Sequence, residues 1–281
     1  MNSLNKAILK TLAYSDIFDF PLTGKEIHRF LVGKKFSQEE VGLELGRIKK
    51  VSKKSNLFCL NGREEVFKKR FLKEIQSEEK LAENIKIIKL LQYIPFIQFV
   101  GISGSLAVKN AEENDDIDLF IITDRNIWTA RFFAILLFKV FGKHRSKNSK
   151  KIKNKFCLNM FISDIKLEFS KEKRNLYIAR EIAQIMPVFN KGSVFERFLK
   201  QNNWIRDFLP NLQNGTEQAN KKKSIIFFPM EQILKKIQLI KINKTKTKET
   251  IQESFLAFHP FDFSKFCLGK YKSNLRKMGL G

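Results

Sequence analysis

Asp116 and Asp118 stand two residues apart in "DDIDLFII", an otherwise apolar run that reads as a buried β-strand. Side chains alternate along a strand, so the two carboxylates share one face while Ile117, Leu119 and Ile121 take the other. Carboxylates placed this way repel each other and are costly to bury unless a cation or hydrogen bonds compensate them. Oxygen ligands of this kind suit Mg²⁺ or Mn²⁺, which bind one or two carboxylates together with substrate phosphates. Upstream, Gly104-Ser105 falls at a turn between an apolar strand, "FIQFVGI", and a short helix, with ten residues between Ser105 and Asp116. Glycine lets backbone come close to a ligand, serine offers a hydroxyl, and a helix start offers free N–H groups to an anion. The spacing leaves room for a short helix and a return strand, so a phosphate-binding turn and a metal-binding pair would face one cleft.

Gly104-Ser105, ten residues, then Asp116-Ile117-Asp118 resembles the Gly-Ser … Asp-x-Asp signature of the DNA polymerase β-like nucleotidyltransferase superfamily, and within it the small bacterial stand-alone enzymes. The likeness covers roughly residues 96–163. It implies transfer of a nucleoside monophosphate from an NTP to an acceptor, with pyrophosphate leaving. Asp116 and Asp118 would be catalytic and hold Mg²⁺ (or Mn²⁺), and Gly104 and Ser105 would bind the nucleotide phosphates. Members of that superfamily place a third carboxylate on the next core strand. Here that strand is "FCLNMFIS", with Asn159 as its central polar residue. An amide can lend an oxygen to a metal but has no charge to give and cannot act as a base. Asn159 either replaces the third carboxylate or is a hydrogen-bonded polar residue at the strand centre. Asp164 and Glu168 could substitute only under a different register. The alternative reading is a weak or inactive nucleotidyltransferase-fold protein that works as a nucleic-acid-binding or regulatory module.

Before these strands, residues 1–63 read as helix, helix, turn, helix and wing strand, which resembles a winged helix-turn-helix domain. Thr23 with Glu26, and Ser37 with Glu40, have capping-box spacing. "NLFCLNGRE" reads as a strand closing on a hairpin turn at Asn61-Gly62. The third helix opens Gln38-Glu39-Glu40, acidic where a groove-reading helix wants donors. Asp16 and Asp19 read as capping or turn residues, and His28 as structural or exposed. Residues 64–95 form a connecting helix, 96–170 the nucleotidyltransferase core and 171–281 an all-α region. That region is read from "NLYIAREIAQIMPVF", "SVFERFLKQNNWIRDFL", a linker "QNGTEQANKKKS", "MEQILKKIQLIKINK" and a Phe-rich tail containing His259-Pro260. Trp128 and Trp204 read as core or interface residues. The expected fold class is therefore α+β, a small mixed sheet flanked by helices.

Composition narrows the surroundings. The 281 residues are 43% hydrophobic, a globular balance. No apolar run is long enough to span a bilayer, and Ile127 to Phe141 carries Arg131 and Lys139. The N-terminus lacks a signal-peptide pattern. The three scattered cysteines suggest neither a disulfide framework nor a zinc cluster, which makes the cytoplasm the expected location. The net charge of +24 invites nucleic acid as a partner. Only 12 of the 53 basic residues are arginine, so coding drift toward A and T explains the excess equally well. The Lys143–Lys155 loop has seven basic residues and no acid, and could approach a polyanionic acceptor. Expected partners are thus an NTP and an acceptor left open among protein, RNA and small molecule, with no membrane.

Overall fold

The computed structural model describes residues 1–146, 149, 151–212, 228–244, 250–252, 254–257 and 263–280. The chain is α+β, with a three-stranded sheet, a mixed six-stranded sheet and helices around both. Among the described residues no helix is long and apolar enough to cross a membrane.

The N-terminal part starts with α1 (Ser3–Ser15), followed by β1 (Leu22–Thr23), α2 (Gly24–Arg29) and α3 (Gln38–Leu45). Both expected capping boxes form: Thr23 and Glu26 start α2, and Ser37 and Glu40 start α3. β2 (Val51–Lys54) and β3 (Leu57–Leu60) pair as a hairpin, with β1 on the other side of β3. The hairpin turns at Ser55-Asn56, with Ser55 at φ 53°, and not at Asn61-Gly62. Asn61 instead follows β3 and donates to the Lys49 carbonyl at 2.6 Å, so its turn closes the ladder and leads into the next helix. Asp16 and Asp19 both accept from Arg63, in line with their reading as turn residues.

The long α4 (Val66–Lys89) leads to β4 (Ile97–Ile102), α5 (Gly104–Ala107), β5 (Ile117–Thr123), α6 (Ile127–Val140) and β6 (Phe156–Ser163). Next come α7 (Leu176–Gln184), β7 (Met186–Asn190), α8 (Val194–Gln201), α9 (Ile205–Phe208) and α10 (Phe228–Lys244). The chain ends in β8 (Thr250–Gln252), β9 (Phe255–Ala257) and α11 (Phe263–Lys277). The large sheet has the order β7-β4-β5-β6-β9-β8, and only β5 and β6 run parallel within it.

Residues 171–281 are therefore not all helical, since β7, β8 and β9 extend the sheet. Pro187 explains the first departure. It cannot continue the helix before it, and it is tolerated in β7 because that strand lies at the sheet edge. The expected single helix over 193–209 breaks at Asn202, which is buried and donates to the carbonyls of Leu167 and Phe198. The linker from Gln213 and His259-Pro260 lie outside the described residues.

Strand alternation sorts the core. Phe99, Phe120, Ile122 and Ile162 pack with Ala179, Phe198, Trp204 and Tyr271 on one face of the sheet. Leu119, Ile121 and Phe161 pack with Trp128, Ala134 and Phe138 on the other. Both tryptophans are core residues, 2% and 8% exposed. Glu231 of α10 caps α6 from outside, accepting from the Trp128 and Thr129 amides at 2.8 and 2.9 Å.

Candidate metal and nucleotide site

The end of β4 meets the start of β5 through the Ser103 amide, which donates to the Asp118 carbonyl at 2.9 Å. Gly104 follows with φ +65°, the left-handed region that disfavours side chains. A Cβ there would lie 2.7 Å from Asp118 Oδ2. Only glycine allows the carboxylate to rest against this turn. The Ser105 hydroxyl donates to Asp115 Oδ2 at 3.2 Å. The same oxygen accepts the Glu112 amide at 2.9 Å. Asp115 therefore braces the loop that delivers Asp116.

Asp116 and Asp118 converge with Cys157, each offering a ligand atom within 4.8 Å of the others. Among the described residues this is the one trio that could jointly hold a metal ion. Asp118 pairs with Cys157 in the parallel register, whereas Phe120 pairs with Met160. Two steps along β5 thus match three along β6, a bulge of the sort that re-aims side chains beside functional sites. Both Cys157 and Asn159 reach Asp118 as a result. The Asn159 amide donates to Asp118 Oδ1 at 3.0 Å, so it is a neutral hydrogen-bond partner of the acid.

The electrostatics are those of crowded anions. Burial, then the Asp116 charge, pushes the Asp118 carboxyl up to about 7, with Arg145 opposing. Burial and both carboxylates hold the Cys157 thiol well above its ordinary value. Arg145, from the basic loop before β6, donates to Asp116 and, at 3.4 Å, to Cys157 Sγ. Among the described residues of that loop, it is the basic one with a hydrogen bond to the trio.

Sequence patterns also pass over two supporting groups. Lys80 of α4 is 4% exposed, and its ammonium donates to the Glu113 and Asp115 carbonyls at 3.1 and 2.8 Å and to Asn154 Oδ1 at 2.8 Å. It ties together the loops that end at Asp116 and at Cys157. Glu181 of α7 bears electrostatically on Asp118, and burial raises its carboxyl to about 7. Helical spacing puts Tyr177 on the same face of α7. Asp164 and Glu168, the two possible substitutes for a third carboxylate, sit elsewhere. Asp164 pairs with Gln98 and Arg197, and Glu168 with Arg174.

The trio tests cations by donor chemistry. Two carboxylates beside a glycine turn offer the oxygen donors that suit a hard divalent cation such as Mg²⁺ or Mn²⁺. Cys157 does not belong in an all-oxygen shell. Compared with known families, curated proteins and solved structures, the chain matches none.

Proposed function

We propose that the chain is a nucleotidyltransferase that moves a nucleoside monophosphate from an NTP to an acceptor in a divalent-cation-dependent reaction. The observation that carries this reading is the seat of Asp118 against Gly104, with one ligand atom each of Asp116, Asp118 and Cys157 within 4.8 Å of one another. A bound divalent cation would supply charge neutralisation at the triphosphate and would activate the acceptor hydroxyl. Asp116 and Asp118 would hold that cation. The Gly104 turn, bare of side chain, lets the phosphates approach the carboxylates, and Ser105 is fixed by Asp115 so that the turn keeps its shape. Arg145, which donates to Asp116, would be available to a phosphate oxygen if a cation took its place at the carboxylate.

Incubation of the full chain with each α-labelled NTP, Mg²⁺ or Mn²⁺ and candidate acceptors tests the reading. Wild type releases pyrophosphate, and Asp116→Ala and Asp118→Ala fall to background. Equal release from all three proteins removes the enzymatic reading.

A second reading has its own support. No carboxylate from β6 joins Asp116 and Asp118, and Asn159 contributes a neutral amide there. A protein that keeps such a site without turnover would act as a nucleic-acid-binding or regulatory module through its basic surface. Its affinity for DNA or RNA would then fall steeply with salt, and salt-insensitive or absent binding would count against it.

A further inference from the structure

We propose that the site bounded by Asp116, Asp118 and Cys157 takes a thiophilic divalent ion, of the Zn²⁺ or Co²⁺ class, with Cys157 as a direct thiolate ligand. The inference deepens the reading of this site as a cation centre, and it stands whether or not nucleotidyl transfer occurs there.

Three observations support it. The first is the donor set. Sγ of Cys157 and one oxygen from each aspartate lie within 4.8 Å of one another, in the register that sets Cys157 directly beside Asp118. Thiolate sulfur is a soft donor that selects zinc-like ions, whereas Mg²⁺ takes oxygen and dehydrates reluctantly. The second is the shape of the cradle. The space that a Cβ on residue 104 would fill, 2.7 Å from Asp118 Oδ2, is kept open by glycine. The third is that a protein cation already addresses the thiol and a carboxylate together. The Arg145 guanidinium donates to both Asp116 and Cys157 Sγ, so the pair presents its lone pairs to one positive group. A metal ion entering from that side displaces Arg145, and the thiol proton leaves to solvent as the metal–sulfur bond forms. The other two cysteines, Cys59 and Cys267, are buried away from the trio.

Cobalt makes the ligand visible. The full-length protein, stripped with chelator, is titrated with Co²⁺ and its near-ultraviolet thiolate-to-cobalt charge-transfer band is recorded. The band is expected in wild type and absent in Cys157→Ser. It is also absent in Asp118→Asn, which keeps all three cysteines and so excludes binding at Cys59 or Cys267. In Cys157→Asp, an all-oxygen trio, the preference for Co²⁺ over Mg²⁺ falls at least tenfold relative to wild type. A wild-type protein without the band, or a band of equal strength in Cys157→Ser, overturns the proposal. So does an unchanged Co²⁺ to Mg²⁺ preference in Cys157→Asp. Pyrophosphate release measured on the same samples is a separate readout. A band without turnover supports the thiolate ligand while removing the transfer reading, and Mg²⁺-driven turnover without a band does the reverse.

Discussion

β5 has an acid pair at each end, and the two pairs differ in what faces them. At the far end Asp124, with Asp164 from the end of β6, is buried, 6% and 8% exposed respectively. Asp124 Oδ1 accepts from the amide and side chain of Asn126 at 2.8 and 3.0 Å. Asp164 accepts from Gln98 at 3.3 Å and faces Arg197 at 3.7 Å. These acids close a strand end and lead into α6. At the near end, Asp116 and Asp118 face each other, a thiol, one amide and an arginine paired with Asp116. The far pair is buried and the near pair half-buried, so burial of acid says nothing by itself about function. A half-buried carboxylate crowded by a second carboxylate and a thiol is the informative case, because those neighbours add repulsion that a cation could relieve.

The largest contrast comes from removing one acid of each pair. Asp118→Ala should lower pyrophosphate release at least about 100-fold, the upper end of what loss of a ligand's outer partner already costs. Asp164→Ala should instead cost about 1–3 kcal/mol of stability by leaving Arg197 and Gln98 without their acceptor, with turnover per folded molecule kept. Labelled-NTP assays beside urea unfolding separate the two, and a matching loss of activity in both variants would erase the distinction. Lys80→Met comes next. Losing the buried Lys80 ammonium from its three acceptors should cost roughly 1.5–3 kcal/mol and weaken cation binding, because the Asp116 and Cys157 loops are no longer tied together. Calorimetric unfolding and Mn²⁺ titration report both effects. Gly104→Ala should cost about 1–2 kcal/mol through its left-handed backbone and, by pushing Asp118 aside, should weaken Mn²⁺ binding, readable in the same titration.

The pH response has a defined sign. Burial pushes the carboxyls of both Asp118 and Glu181 up to about 7, above the usual carboxylate range. The folded state therefore keeps protons that the unfolded chain has released, and the metal-free protein should lose stability as pH rises from about 4 to 7. Asp118→Asn should flatten part of that slope in a thermal-unfolding series. Cation affinity should rise over the same interval, since ligands must deprotonate to bind. The smallest effect belongs to Arg145→Ala, which removes the competing guanidinium and should tighten cation binding modestly in isothermal calorimetry, with little change in melting temperature.

Much of this arrangement is legible in the sequence where local chemistry governs. Thr23 with Glu26 and Ser37 with Glu40 form capping boxes as spaced, because a cap is satisfied within four residues. The alternation of Asp118, Phe120 and Ile122 against Leu119 and Ile121 gives β5 its two faces, and the structure keeps them. What escapes is set at long range. β7 is a strand because an edge beside β4 accommodates Pro187, and nothing local announces that edge. The position of Cys157 beside Asp118 goes with a bulge in the parallel pairing of β6, which a period-2 reading of "FCLNMFIS" does not contain. Lys80 looks like one more charge on a polar helix until its three acceptors arrive from loops 33 to 74 residues away. Ser105 illustrates a subtler limit: its position follows from the spacing, whereas its partner, Asp115, follows from the loop between.

The most direct test compares the two acid pairs as cation sites. Mn²⁺, which favours oxygen ligands and is read by electron paramagnetic resonance, is titrated into wild type, Asp118→Asn and Asp164→Asn proteins, each checked for folding. Wild type and Asp164→Asn should bind Mn²⁺ alike, and Asp118→Asn should lose the site. Equal binding in Asp118→Asn, or its loss in Asp164→Asn alone, would contradict the assignment of the cation centre to Asp116 and Asp118.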